Sequence, residues 1–219
     1  MQRRLQLRVE FPCARKRRAG ARARYTGVIS AQPQTKLSDE EYLAIEEKAE
    51  FRSEFYRGAM FAMSGGSPTH ALLANAIGSE LRIGLKGKSC GVYGSDLKIR
   101  VSRGGLYAYP DVTLVCGELQ FAEGTTHVIT NPAIVVEVLS PSTEAYDRGF
   151  KSAEYRKIAS LREYAFISPT EPRVEIYGRK PSGELGEFSE YVGLDAVCRF
   201  HSLDCTVSLA DLYTGVTFS

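Results

Sequence analysis

Pro132-Ala133-Ile134-Val135-Val136-Glu137-Val138-Leu139 is the stretch from which the fold can be read. Between Ala133 and Leu139 every residue but Glu137 is apolar, and four are β-branched. A short, nearly unbroken hydrophobic run of this kind belongs to a central strand buried on both faces. Glu137 interrupts it. Burying an unpaired charge costs several kcal/mol, so this carboxyl must be protonated, paired or occupied by a cation.

Downstream, Ser140-Pro141-Ser142-Thr143 leads into helical spacing over residues 144–160, and strand patterns return at 163–168 and 173–178. The result is a strand, helix, strand crossover. Residues 181–187 form a Gly/Pro-punctuated turn, further short strands follow, and 208–213 reads as a last short helix. Upstream, 92–93, 97–101, 106–109 and 112–116 carry β signals in close succession, which predicts an antiparallel meander. Ser67-Pro68 starts the first major helix, with the hydroxyl as cap and proline at the first position. Its apolar set, Leu72, Leu73, Ala76, Ile77, Leu81 and Leu85, repeats at three- and four-residue steps. Residues 51–63 read as a hairpin around Arg57-Gly58 with Glu54 in its first strand, and Ser38-Asp39-Glu40-Glu41 is a capping box opening a short helix to about Ala49.

The whole chain has 219 residues and 43% hydrophobic content, enough for one real core. No aliphatic run is longer than Ala133-Ile134-Val135-Val136, itself far shorter than the ~20 residues of a membrane span, so a soluble protein is expected. Five cysteines, an odd number, follow no secretory-type apolar stretch, which predicts a cytoplasmic protein without a disulfide framework. Charge is uneven: residues 1–25 hold nine Lys/Arg against one acid, and residues 26–219 hold nineteen against twenty-five. Residues 1–34, Arg- and Ala-rich and without a surviving period, read as a disordered basic arm ahead of one domain over 35–219. That arm could tether nucleic acid or direct the chain to an organelle; a solvated extension without a role is the plainer reading.

Asp111, directly after Pro110, opens a strand preceding that of Glu137. Two carboxylates on adjacent strands can supply oxygen ligands to Mg²⁺, which takes only one or two of them beside water and substrate phosphate. The plain alternative is an internal salt bridge to a lysine or arginine. Asp147 and Lys151, four apart on the following helix, share a face and could be a surface ion pair. Because that helix packs back on the sheet, Lys151 could instead reach the carboxylates and orient a water or neutralise charge on a pentacovalent phosphate. Cys198, His201 and Cys205 approach zinc spacing but lack a fourth partner, and strand alternation sends them to different faces. No phosphate-cradling glycine loop, dinucleotide fingerprint or serine nucleophile elbow is present.

Pro110-Asp111, Glu137-Val138-Leu139-Ser140-Pro141-Ser142-Thr143, Asp147-Arg148 and Lys151, with Tyr155 and Tyr164 beyond, resemble the Uma-type restriction endonuclease family of the PD-(D/E)XK superfamily. Upstream, Glu54, Gly58, Met63-Ser64-Gly65, Pro68 and His70 extend the likeness over residues 37–213. The resemblance implies an α/β (α+β) restriction-endonuclease-like core, a four-stranded mixed central sheet flanked by helices. It implies Mg²⁺ or Mn²⁺ held by Asp111 and Glu137, with Lys151 and Glu54 completing a catalytic set that acts on DNA. Leu139 stands where the superfamily's plain pattern has its lysine; in the Uma-type pattern the lysine lies on the next helix, matching Lys151. His70 is a phosphate-facing or outer group on this reading, or else a helix-capping or solvent-facing histidine. Asp96 is an outer acid or a turn residue. A homodimer follows from superfamily analogy, since two copies cut both strands of a duplex. A catalytically silent nucleic-acid- or partner-binding module on the same fold, or a nuclease acting on RNA, are the alternatives.

Overall fold

A computed structural model describes residues 36–63 and 65–218. The basic arm expected over 1–34 lies outside the described residues. Helix α1 (Asp39–Glu46) opens on the capping box, with Ser38 accepting from the Glu41 amide and Glu41 reaching back. The hairpin β1 (Ser53–Tyr56) and β2 (Ala59–Ala62) turns at Arg57-Gly58, both at positive φ, 47° and 93°, as a tight right-twisted hairpin requires. Helix α2 (Pro68–Gly84) is capped by Ser67 and buries Leu73, Ile77 and Leu81.

The expected meander does not form. Strand β3 (Cys90–Gly94) pairs with β6 (Val112–Cys116), while β4 (Lys98–Arg100) and β5 (Leu106–Ala108) leave that sheet as a hairpin and join β1. The local alternation is right in each strand; partner choice is set by which apolar face finds a second layer, and that is not a local property. With β7 (Val128–Ile129), a five-stranded sheet in the order β2-β1-β5-β4-β7 results.

Strand β8 (Ile134–Val138) lies between β6, antiparallel, and β9 (Glu163–Ile167), parallel. The crossover between β8 and β9 runs through α3 (Glu144–Tyr146), a π-turn (Asp147–Lys151) and α4 (Ser152–Tyr155), shorter and less regular than the helix expected over 144–160. Strands β10 (Arg173–Arg179) and β11 (Leu185–Val192) complete a six-stranded mixed sheet, β11-β10-β9-β8-β6-β3, wider than the four strands the resemblance implied. The ribbon β12 (Val197–Phe200) and β13 (Cys205–Ser208) and the short α5 (Leu209–Leu212) close the chain.

Period-two alternation assigns the two faces of β8. Ile134, Val136 and Val138 pack with α2, α5 and the β12–β13 ribbon, whereas Val135 and Leu139 pack with Tyr155, Tyr164 and the inner face of the five-stranded sheet. Glu137 shares the second face, beneath the crossover. A third cluster, Tyr42, Phe55, Tyr107, Ala122 and Val128, lies between α1 and the outer face of the five-stranded sheet. Cys90 and Cys116, opposite one another in the β3–β6 ladder, are joined by a disulfide, contrary to the expectation. The non-local pairing that replaces the meander brings them together.

Candidate active site

The β6–β8 ladder pairs Val112 with Val136, so the next residues outward, Asp111 and Glu137, meet where the two strands part. Asp111 Oδ2 accepts from the Val138 amide at 2.8 Å, and the Asp111 amide lies 3.4 Å from Glu137 Oε2. Asp111 therefore substitutes a side-chain acceptor for the ladder bond that ends there. Its Oδ2 also faces His70 Nε2 at 3.1 Å, carried in from the first turn of α2. A Cβ on Gly66 would lie 2.6 Å from His70 Nδ1, so only glycine leaves room for the imidazole in this place.

Lys151 comes down from the crossover. Its Nζ lies 2.9 Å from Glu137 Oε1, 3.0 Å from Glu54 Oε1 and 3.5 Å from Asp147 Oδ1. Two tyrosine hydroxyls fix the acids: Tyr155 donates to Glu137 Oε1 and Tyr146 to Glu54 Oε2, each at 3.0 Å. The π-turn makes this possible. In it the Ser152 amide reaches the Asp147 carbonyl, five residues back, and the widened turn sends Asp147 and Lys151 inward together. π-bulges of this kind recur at functional sites.

Glu54, Glu137, Asp147 and Lys151 are all buried, so three carboxylates surround one ammonium. Burial above all pushes the Glu137 carboxyl up to about 8; Lys151 opposes the rise and the Asp111 and Asp147 charges add to it. Asp147 is raised for the same chief reason. Burial alone would lower the Lys151 pKa, but Glu137, Tyr155, Glu54 and Asp147 together hold it well above the ordinary lysine value. His70 is raised, chiefly by its hydrogen bond to Asp111. The buried acids thus repel one another, and a proton or an added cation relieves the same repulsion.

The donor set suits a hard divalent cation. Glu137 Oε2 has only the long contact to the Asp111 amide, and Asp111 Oδ1 has no protein partner among the described residues. These two oxygens would hold Mg²⁺ or Mn²⁺. Among the described residues no three His, Cys, Asp or Glu side chains enclose a cation by themselves, so the rest of its shell would be water and phosphate, as is usual for Mg²⁺.

Of the residues singled out in the sequence, Asp111, Glu137, Lys151, Glu54 and His70 thus lie within one connected cluster. Asp96 does not join it: it is an exposed turn residue paired with Arg52. Cys198 and Cys205 are buried free thiols and His201 is exposed, which removes the zinc alternative. Asp147, which four-residue spacing allowed in a surface ion pair, is instead 4% exposed. Its burial follows from the π-turn, which i, i+4 spacing cannot announce. Tyr146 was not anticipated; Tyr155, four residues after Lys151, carried the only available signal of a shared inward face.

A mixed sheet whose central strand presents an acid beside a second acid on its antiparallel neighbour is restriction-endonuclease-like in architecture. A crystal structure described as that of a putative nuclease belonging to DUF820 from Anabaena variabilis has the same fold, with a TM-score of 0.67 at 17% identity over 83% of this chain and 99% of that one. The chain belongs to the Uma2 family, described as putative restriction endonucleases, whose model matches residues 39–201. Among its relatives are two proteins of Synechocystis sp., both titled uncharacterized. One, slr1290, is 38% identical over 85% of this chain and 96% of its own length; the other, sll1609, is 31% identical over 75% and 92%.

Proposed function

We propose that this protein is a metal-dependent endonuclease hydrolysing phosphodiester bonds in DNA, with Asp111 and Glu137 as ligands of Mg²⁺ or Mn²⁺. The observation that carries the reading is the placement of Lys151 Nζ 2.9 Å from Glu137 Oε1, leaving Glu137 Oε2 beside Asp111. When bound, the metal supplies Lewis acidity and an acidified water. Asp111 and Glu137 would hold that ion; Lys151 keeps Glu137 in place and would offer a fixed positive charge to the reacting phosphate, and Glu54 holds Lys151. Tyr155 and Tyr146 keep the two glutamates from rotating. His70, 3.1 Å from Asp111 Oδ2, would hold that carboxylate for the ion and could meet the substrate phosphate. Membership of a restriction endonuclease family supports a nucleic-acid substrate. Cutting both strands would call for a homodimer, and the cytoplasm, where DNA is at hand, is the place we assign; among the described residues no helix is long and apolar enough to cross a membrane.

Supercoiled plasmid with Mg²⁺ or Mn²⁺ tests this directly. The wild type should nick it, EDTA should stop the reaction, and Asp111→Asn should lose ~10²-fold or more. Metal binding without cleavage of plasmid or of a structured RNA would make the protein a silent binding module. Equal cleavage by Asp111→Asn would refute the site.

A further inference from the structure

We propose that Glu46 is a positioning residue: its buried carboxylate clamps together the two strand ends that carry Glu54 and Asp111 and so sets their separation. The inference rests on the reading of those acids as parts of a metal site. The β1–β5 ladder ends with Phe55 opposite Tyr107. Continued by two residues it would place Ser53 opposite Tyr109, but there the backbones no longer pair. Glu46, the last residue of α1, fills that place. Its Oε1 accepts from the Ser53 amide and from the Tyr109 hydroxyl, each at 2.9 Å, and its Oε2 accepts from the Ser53 hydroxyl.

Both tied residues lead directly to the acids. Glu54 follows Ser53, and Asp111 follows Tyr109 across Pro110. Ser53 is further held by Tyr42, whose hydroxyl donates to the Ser53 carbonyl at 2.6 Å. Lys98 supplies the counter-charge, with Nζ 3.9 Å from Glu46 Oε1 and over the rings of Tyr42 and Tyr109 at 4.6 and 5.2 Å. Arg52 covers Tyr109 at 5.5 Å. Alternation puts Ser53, Phe55, Tyr107 and Tyr109 on the α1 face of the five-stranded sheet and Glu54 on the other, so Glu46 stands behind the acids and touches no reacting atom.

The chemistry of the clamp argues for more than adhesion. Lys98 and Glu46 are both buried, and burial lowers the Lys98 pKa to about 8 despite the carboxylate. A well-packed apolar pair would join two strands at no greater cost. What the carboxylate adds is a set of directional bonds that fix distance and orientation, the property that metal-site acids need from the groups behind them.

The test is calorimetric titration of the full chain with MnCl₂, paired with urea unfolding. Tyr109→Phe removes one clamp bond and keeps the ring under Lys98, and Glu46→Gln keeps the shape while removing the charge. Each should raise the Mn²⁺ Kd by ~10-fold to ~100-fold, the usual effect of losing a group that orients a ligand. In a Glu54→Gln background the Tyr109→Phe effect should shrink, because the clamp then has one acid fewer to place. A merely structural role would lower the urea midpoint and leave Kd unchanged, which overturns the inference. Should Glu46→Gln fail to fold, Tyr109→Phe decides alone. Absence of Mn²⁺ binding by the wild type would overturn the metal-site reading and this inference with it, whereas tight binding unaffected by Tyr109→Phe overturns only the clamp.

Discussion

Lys151→Met preserves the aliphatic stem and removes the only ammonium among Glu54, Glu137 and Asp147. Breaking a buried ion pair from one side costs ~3–5 kcal/mol, because the remaining charge has lost its compensation. That is a large part of the ~5–15 kcal/mol that holds a domain together. The penalty must depend on pH. In the wild type the Glu137 carboxyl stands at about 8 against an ordinary 4.5, and without Lys151 it rises further. Folded variant then keeps a proton that the unfolded chain releases, so its stability is highest in acid. It falls as pH rises from the unfolded carboxyl value through the folded one, by up to ~1.4 kcal/mol per pH unit per proton. Because the wild-type carboxyl itself ionises only near 8, urea unfolding in EDTA should show the gap between Lys151→Met and wild type nearly constant from pH 5 to pH 7 and widening above pH 8, by up to ~1.4 kcal/mol per pH unit, as the wild-type carboxylate ionises beside Lys151 and the variant's does not. Mn²⁺ should return part of the loss, while plasmid cleavage stays down by ~10²-fold or more. A penalty as large at pH 7 as at pH 9.5 would refute the reasoning, since it would reflect lost packing and not stranded carboxylates.

Two further outcomes follow from the same geometry. Tyr155→Phe deletes the hydroxyl that donates to Glu137 Oε1 at 3.0 Å; the loss should be ~0.5–1.5 kcal/mol while the carboxyl is protonated and grow toward ~1.5–3 kcal/mol as pH rises through about 8, where the wild-type carboxylate ionises with the hydroxyl's support, and urea curves at pH 6 and pH 9 measure it. Reducing the Cys90–Cys116 disulfide, which closes a sequence separation of 26, should lower the urea midpoint by the equivalent of ~3 kcal/mol, and Cys116→Ser should match reduced wild type; a midpoint indifferent to dithiothreitol would show that the bond contributes nothing.

Much of the fold is local and was legible. Ser38 with Glu41, Ser67-Pro68 and Arg57-Gly58 each announce an element boundary through chemistry confined to a few residues. Glu137 announced the site because a carboxyl in an apolar strand has few physical outcomes. The division into two sheets was not legible, since Leu106 and Val112 alternate in the same way yet serve different layers. Nor was the burial of Asp147, which depends on a hydrogen-bond register five residues long within a stretch that reads as ordinary helix. Glu46 carries the same lesson: at the end of a short, acid-rich helix it has the appearance of a solvated acid, and only the place where the β1–β5 ladder stops gives it donors.

The π-turn amounts to one residue more than an α-helix needs, and this has a consequence for how the segment can vary. Gly149 sits in its middle, exposed, with nothing within 4 Å of where a side chain would grow. The position should accept almost any replacement. Omitting it is another matter: a helix one residue shorter turns everything before the gap by ~100° relative to everything after it. Tyr146 and Asp147 would then leave the Glu54 side while Lys151 and Tyr155 stayed behind. Among related chains position 149 should be free in spelling, and the stretch from 147 to 151 fixed in length.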